Sequence, residues 1–157
     1  MNVRRTLMRP KGRRRDALRW QDMPATRYPI RIGARSLGLV RILFGATPET
    51  AWADVDERGL RTQFGRFHFA TGLENIASWR IEGPFRWITA IGVRVSIRHR
   101  DVSFAGSPHG GVRMDFRAPV RWGKVLVPAF YVGTDDLAGF AAALAALGVP
   151  GEDARRR

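Results

Sequence analysis

Residues 93–98 read VRVSIR and residues 112–117 read VRMDFR, so apolar and polar side chains alternate twice within 25 residues. An alternation of period two places one set of side chains on each face of a β-strand. Both segments are therefore predicted to be half-buried strands with an apolar inner face and a charged outer face.

The same alternation recurs elsewhere in the chain. Residues 60–64 alternate, and residues 67–70 repeat the pattern after a short turn. Gly and Pro interrupt these segments at the spacing expected of turns. The chain is therefore predicted to be mainly β, with seven or eight strands in a β-barrel or a strongly bent antiparallel sheet. Pro128, inside the last strand (residues 125–132), indicates an edge or a bulge.

One α-helix is predicted at the end of this region, over residues 135–147. Thr134 is expected to cap its amino end, and Gly148 and Pro150 to end it. The apolar stripe consists of Leu137, Phe140, Ala141, Leu144 and Leu147. The opposite face consists of Gly139, Ala142, Ala143 and Ala146. This small-residue face is either exposed alanine of little consequence or the contact of a homo-oligomer.

Two shorter segments give less decisive patterns. The apolar run Leu37–Phe44 is punctuated by Gly33, Gly38 and Gly45, which favours extended structure, with a short helix as the alternative. Residues 71–74 have the spacing of a capping box, which predicts a helical turn over residues 73–76 capped by Thr71.

The net charge of +13 is concentrated near the amino end. Residues 1–26 lack sustained periodicity and are predicted to be a disordered basic arm that suits a nucleic acid or a partner protein. The arm's candidate contacts are Arg4, Arg5, Arg9, Lys11, Arg13, Arg14 and Arg15. Residues 27–150 are expected to form a single domain, and residues 151–157 a disordered basic tail.

Several kinds of chemistry have no support in the sequence. The chain has no cysteine, and neither phosphate-binding glycine motif occurs. Its three histidines, His68, His99 and His109, lack metal-ligand spacing, and Ser107, His109 and Asp115 lack the spacing of a catalytic triad. No apolar run suits a signal peptide or a membrane span, so a cytoplasmic location is expected. We predict no cofactor, no metal and no catalytic activity.

A second basic feature lies on the predicted strands. Five arginines could share one face and hold a phosphorylated headgroup or an anionic peptide through forked hydrogen bonds. They are Arg94, Arg98, Arg100, Arg113 and Arg117. The alternative is an ordinary solvated exterior, in which Asp101 and Asp115 balance the arginines.

Three pairs of segments resemble a family of uncharacterised conserved actinobacterial proteins. They are FGR at residues 64–66 with LENI at 73–76, GPFRW at 83–87 with IGVRVS at 91–96, and GVR at 111–113 with FRAPV at 116–120. The resemblance covers roughly residues 50–147. It implies a pleckstrin-homology-like barrel whose carboxyl-terminal helix plugs one open end, and it implies no activity, cofactor or catalytic residue.

These observations favour a non-catalytic binding or scaffold module for an anionic surface, a peptide or a partner protein. The first alternative is nucleic-acid association through the basic arm. The second is a β-barrel enzyme or carrier that encloses a small molecule.

Overall fold

A computed structural model describes residues 26–84, 91–96 and 101–155. Over these residues the chain forms ten strands, one turn of 3₁₀ helix and two α-helices. In chain order they are β1 (Arg27–Pro29), α1 (Leu37–Phe44), β2 (Ala51–Asp56), β3 (Gly59–Phe64), β4 (Phe67–Gly72), the 3₁₀ turn (Leu73–Asn75), β5 (Ile76–Glu82), β6 (Gly92–Val95), β7 (Val102–Ala105), β8 (Gly111–Trp122), β9 (Val125–Val132), α2 (Leu137–Ala146) and β10 (Gly151–Asp153).

The strands form two sheets. The smaller sheet has the antiparallel order β1-β2-β3-β4, and the larger has the order β10-β5-β8-β9-β7-β6. Two pairs in the larger sheet, β10 with β5 and β7 with β9, are parallel. The predicted mainly β class is confirmed. The described strands number ten rather than seven or eight, and they form two sheets rather than one closed barrel.

The core lies where the two sheets face each other. Phe69 of β4 stacks on Phe130 of β9 with ring centroids 4.3 Å apart, and Phe64 of β3 lies 6.0 Å from Phe104 of β7. Phe64, Phe104 and Phe130 have no exposed surface. Burial of these large side chains is the main source of the free energy that holds the sheets together.

The predicted carboxyl-terminal helix is present as α2, with shorter bounds and a different cap. Asp136 rather than Thr134 caps it, because the Asp136 carboxylate accepts a hydrogen bond from the Gly139 amide at 2.8 Å. Thr134 is fully buried, and its hydroxyl donates to the Asp136 carbonyl instead. The helix contacts β2, β5 and β8, so it packs on both sheets.

The prediction of extended structure over Leu37–Phe44 is wrong, because this segment is the helix α1. The run contains good helix formers, and Gly45 ends it in a left-handed conformation at φ 67°, donating to the Arg41 carbonyl. The glycine that suggested a break between strands is therefore the carboxyl-terminal cap of a helix.

The helical turn predicted after Thr71 forms over Leu73–Asn75, but no side chain caps it. Instead, the side-chain amide of Asn75 donates a hydrogen bond to the Thr71 hydroxyl. The Asn75 side chain also binds both backbone groups of Ala118 and so ties the turn to β8.

The bulge predicted at Pro128 is confirmed, and the edge position is wrong. In the pairing of β8 with β9 the register shifts between Asp115 and Val120, whose partners are Ala129 and Val127. Pro128 lies in this irregular step, where a missing amide proton costs no ladder hydrogen bond. Strand β9 itself lies between β8 and β7.

The predicted tail is in part a strand. Residues 151–153 pair in parallel with β5 as β10, and the Trp79 indole donates to the Val149 carbonyl beside them at 2.9 Å. Gly151 lies against the Trp79 ring so closely that a β-carbon there would overlap it. Backbone pairing with β5 therefore orders residues 151–153. The amino-acid composition of the tail gives no sign of this pairing.

Candidate functional site

Exposed aliphatic side chains are concentrated on one element. Four of the six large hydrophobic residues that are exposed in the described chain lie on α1, and a fifth, Val95, lies on the neighbouring strand β6. The four on α1 are Leu37, Leu39, Ile42 and Leu43. Ile42 is 83% exposed, and Leu39 and Leu43 are each 48% exposed. Isolated exposed leucines are ordinary, but a cluster of this kind indicates a contact surface.

The opposite side of α1 fixes the helix to the domain. Val40 is fully buried, and the Phe44 ring contacts Phe64, Phe67 and the backbone of Gly92. Residues four apart share a helix face, so Val40 and Phe44 form the inner face. Leu39, Ile42 and Leu43 follow the same spacing on the outer side and therefore form one apolar stripe.

Arginines flank this stripe, and no acidic residue lies near it in sequence. Arg35 and Arg41 are exposed, and residues 26–48 contain four arginines and no Asp or Glu. The first acidic residue after α1 is Glu49, whose pKa is lowered by hydrogen bonds from Thr47 and its own backbone and by the positive charge of Arg41. We name Arg35, Leu37, Leu39, Arg41, Ile42 and Leu43 the α1 surface.

The α1 surface belongs to the most basic part of the chain. Residues 1–48 contain 12 basic and two acidic residues, whereas residues 49–157 contain 15 basic and 12 acidic residues. Most of the net charge of +13 is therefore carried by less than a third of the sequence. In sequence, the α1 surface therefore lies within the segment that carries most of the positive charge.

The predicted arginine patch is not assembled among the described residues. Arg113 lies between two carboxylates, at 2.7 Å from Asp101 and 3.1 Å from Asp115. Burial alone would lower the pKa of Arg113, but Asp115 and Asp101 outweigh it and raise that pKa. The charge of Arg113 is thus already compensated within the fold.

Two other arginines of the patch, Arg94 and Arg117, lie apart from Arg113. Arg94 of β6 shares its face but lies three strand spacings away, roughly 14 Å. Arg117 lies in the bulge of β8 and donates to the Glu74 carbonyl. Arg98 and Arg100, and the arginines of the predicted arm, lie outside the described residues.

The outer face of the larger sheet carries charges of both signs. Arg80 is the cross-strand neighbour of both Arg113 and Glu152, and it lies 3.3 Å from Glu152 and 3.7 Å from Glu82. Opposite charges in adjacent strands stabilise a sheet modestly. This face therefore fits the alternative of a mixed, solvated exterior better than an anion-binding patch.

The structure describes two of the three histidines, His68 and His109. The His109 Nε2 donates to the Thr134 carbonyl at 2.8 Å, and its Nδ1 is buried without a hydrogen-bond partner within the geometric limits among the described residues. Burial lowers the pKa of His109 and so favours the neutral ring. Asp115, the third member of the triad considered above, binds Arg113 instead. His68 lies on β4, where its carbonyl accepts from the Trp122 indole.

Two recesses in the described surface are open to solvent. One of about 300 Å³ lies over the β3–β4 hairpin beside Arg61, and one of about 330 Å³ lies between the 3₁₀ turn and the end of α2 beside Arg117. Within the described ranges no three His, Cys, Asp or Glu side chains come close enough to bind a metal ion. None of the described helices has the length and apolar character needed to cross a bilayer.

No protein-family model, no curated protein and no solved structure matches the chain. The candidate site therefore depends on geometry alone. Sequence reasoning missed the α1 surface because it favoured extended structure over a short helix for residues 37–44. The signal was nevertheless present: Leu39, Ile42 and Leu43 have helical i, i+3, i+4 spacing.

Proposed function

We propose that this protein is a non-catalytic binding module that docks on an anionic surface through the α1 surface. The observation that supports this proposal is the exposed Leu39, Ile42 and Leu43 stripe in the most basic part of the chain. Apolar contact supplies affinity, and the surrounding arginines supply attraction and orientation. The arginine patch proposed from the sequence has no part in this account, since Arg113 is compensated by aspartates.

The finer description of the fold is also a proposal. Two facing sheets joined by a carboxyl-terminal helix that contacts both support a pleckstrin-homology-like arrangement. Such a scaffold filled by aromatic side chains leaves its binding sites on the outside. The relationship to conserved actinobacterial proteins and the cytoplasmic location are proposed on the same footing, from the sequence.

The proposal is tested with three anionic probes: phosphatidylglycerol vesicles, duplex DNA and polyglutamate. We expect the protein to bind at least one of them, and binding to weaken as salt rises from about 50 to 200 mM. The double variant Leu39→Ser/Leu43→Ser should weaken this binding. Leu126→Ser is the matched control, because Leu126 is 49% exposed but lies on β9 rather than on α1.

Two results would contradict the proposal. One is the absence of binding to all three probes at low salt. The other is equal binding by the wild type and the double variant, which would place the contact elsewhere. Salt-sensitive binding to DNA that ignores the α1 substitutions would favour the nucleic-acid alternative.

A further inference from the structure

We infer that the anionic surface is a lipid bilayer, with α1 lying in the plane of its interface and Leu39, Ile42 and Leu43 entering the acyl boundary. This inference rests on the proposed function and names its partner class. A helix of this kind has an apolar face of large aliphatic residues and basic residues beside it. The α1 surface has both, with Arg35 and Arg41 exposed at the flanks of the stripe.

The shape of the stripe favours a partner that can deform around it. The helix is held on its inner face by Val40 and Phe44, so its outer face projects from the domain, with Ile42 83% exposed. A projecting stripe needs a partner that deforms or one with a matching groove. A bilayer interface admits a short helix without prior shape complementarity.

The size of the stripe argues against a protein partner as its sole occupant. Helix α1 has eight residues and a length of about 12 Å. A stable protein interface uses roughly 20–30 residues on each side. Insertion into a bilayer does not need that area, because neighbouring basic residues add electrostatic attraction to an anionic leaflet.

The charge of the region argues against a second copy of the chain. Two α1 surfaces in contact would bring the exposed Arg35 and Arg41 of one copy close to those of the other. Like charges that are brought into contact in this way repel each other. An anionic leaflet instead attracts Arg35, Arg41 and any other basic side chain within about a Debye length of its surface.

The test measures partition of the full chain onto vesicles of phosphatidylcholine alone and of phosphatidylcholine with about 30% phosphatidylglycerol. We expect binding only to the second. Ile42→Ser should weaken it about tenfold, since a mostly exposed isoleucine loses its burial in the acyl boundary. Arg41→Gln should weaken it about fivefold.

Two matched controls separate a local effect from a general one. Leu126→Ser removes an exposed leucine elsewhere, and Arg117→Gln removes one positive charge from the bulge of β8. Each control should change partition less than about twofold. Circular dichroism of all four variants verifies that the fold is retained.

A label reports insertion directly. The chain has no cysteine, so Ile42→Cys and Leu126→Cys can each carry one environment-sensitive fluorophore. On phosphatidylglycerol vesicles we expect a blue shift at position 42 and none at position 126. The inference is overturned if neither position shifts, if both shift equally, or if Ile42→Ser binds vesicles as well as the wild type.

The outcome distinguishes this inference from the proposed function. Binding to polyglutamate or DNA that depends on Leu39 and Leu43, without partition onto vesicles, would overturn the bilayer inference and keep the binding module. Failure on all probes would overturn both.

Discussion

Replacing Arg113 should reduce the stability of the protein without changing its binding. The Arg113 guanidinium lies 2.7 Å from Asp101, and the two side chains are 27% and 19% exposed. At an effective dielectric constant of about 20, charges about 4 Å apart attract by roughly 4 kcal/mol. Desolvation of both partners opposes much of this attraction, so we expect a net coupling of about 1–2 kcal/mol, above the value for an exposed pair.

A double-mutant cycle measures this coupling. Arg113→Gln, Asp101→Asn and the double variant are compared with the wild type by urea unfolding at neutral pH. Asp101→Asn removes its charge while keeping the side-chain shape, and Arg113→Gln removes its charge and leaves a shorter polar side chain. A coupling below about 0.3 kcal/mol would show that the pair is not structural. Weaker vesicle binding by Arg113→Gln, comparable to the effect of Arg41→Gln, would restore the arginine patch as the binding site.

Three further predictions concern Phe130 in the core, the buried His109 and Gly111 at the start of β8. Phe130→Ala should cost about 3–5 kcal/mol in urea unfolding, because the ring is fully buried and stacked on Phe69, and a cost below about 1 kcal/mol would contradict this packing. Burial lowers the pKa of His109, so the unfolded chain binds a proton there more readily than the fold does, and stability should fall as pH drops below about 6.5. His109→Gln should remove that slope between about pH 5 and 7, and an unchanged slope would assign it to other groups. Gly111→Ala should cost about 1–3 kcal/mol because its methyl group would overlap the Tyr131 ring, and a thermal unfolding midpoint equal to that of the wild type would refute this close contact.

The sequence predicted those features whose pattern is local. Strands such as Gly59–Phe64 and Gly111–Trp122 show the two-residue alternation, and the stripe of Leu137 and Leu144 defines α2. Pairing order is a non-local property. The parallel pairing of β7 with β9, and of β10 with β5, joins segments whose own sequences contain no sign of their partners.

The candidate site was harder to predict for a related reason. A dense apolar run such as Leu37–Phe44 normally implies burial, and the sequence does not show which of its side chains the fold leaves outside. The alternation did place Arg113 on an outer face. It could not show that Asp101, 12 residues earlier, would lie against that arginine.

Hydrogen exchange at the α1 amides tests the central claim most directly. The full chain is compared with and without phosphatidylglycerol vesicles, and exchange is followed along all described strands and helices. We predict slower exchange over residues 37–44, with little change on β5 and β8, where Arg80 and Arg113 lie. Protection confined to β5 and β8, or unchanged exchange over α1 while the protein is bound, would contradict docking through this helix.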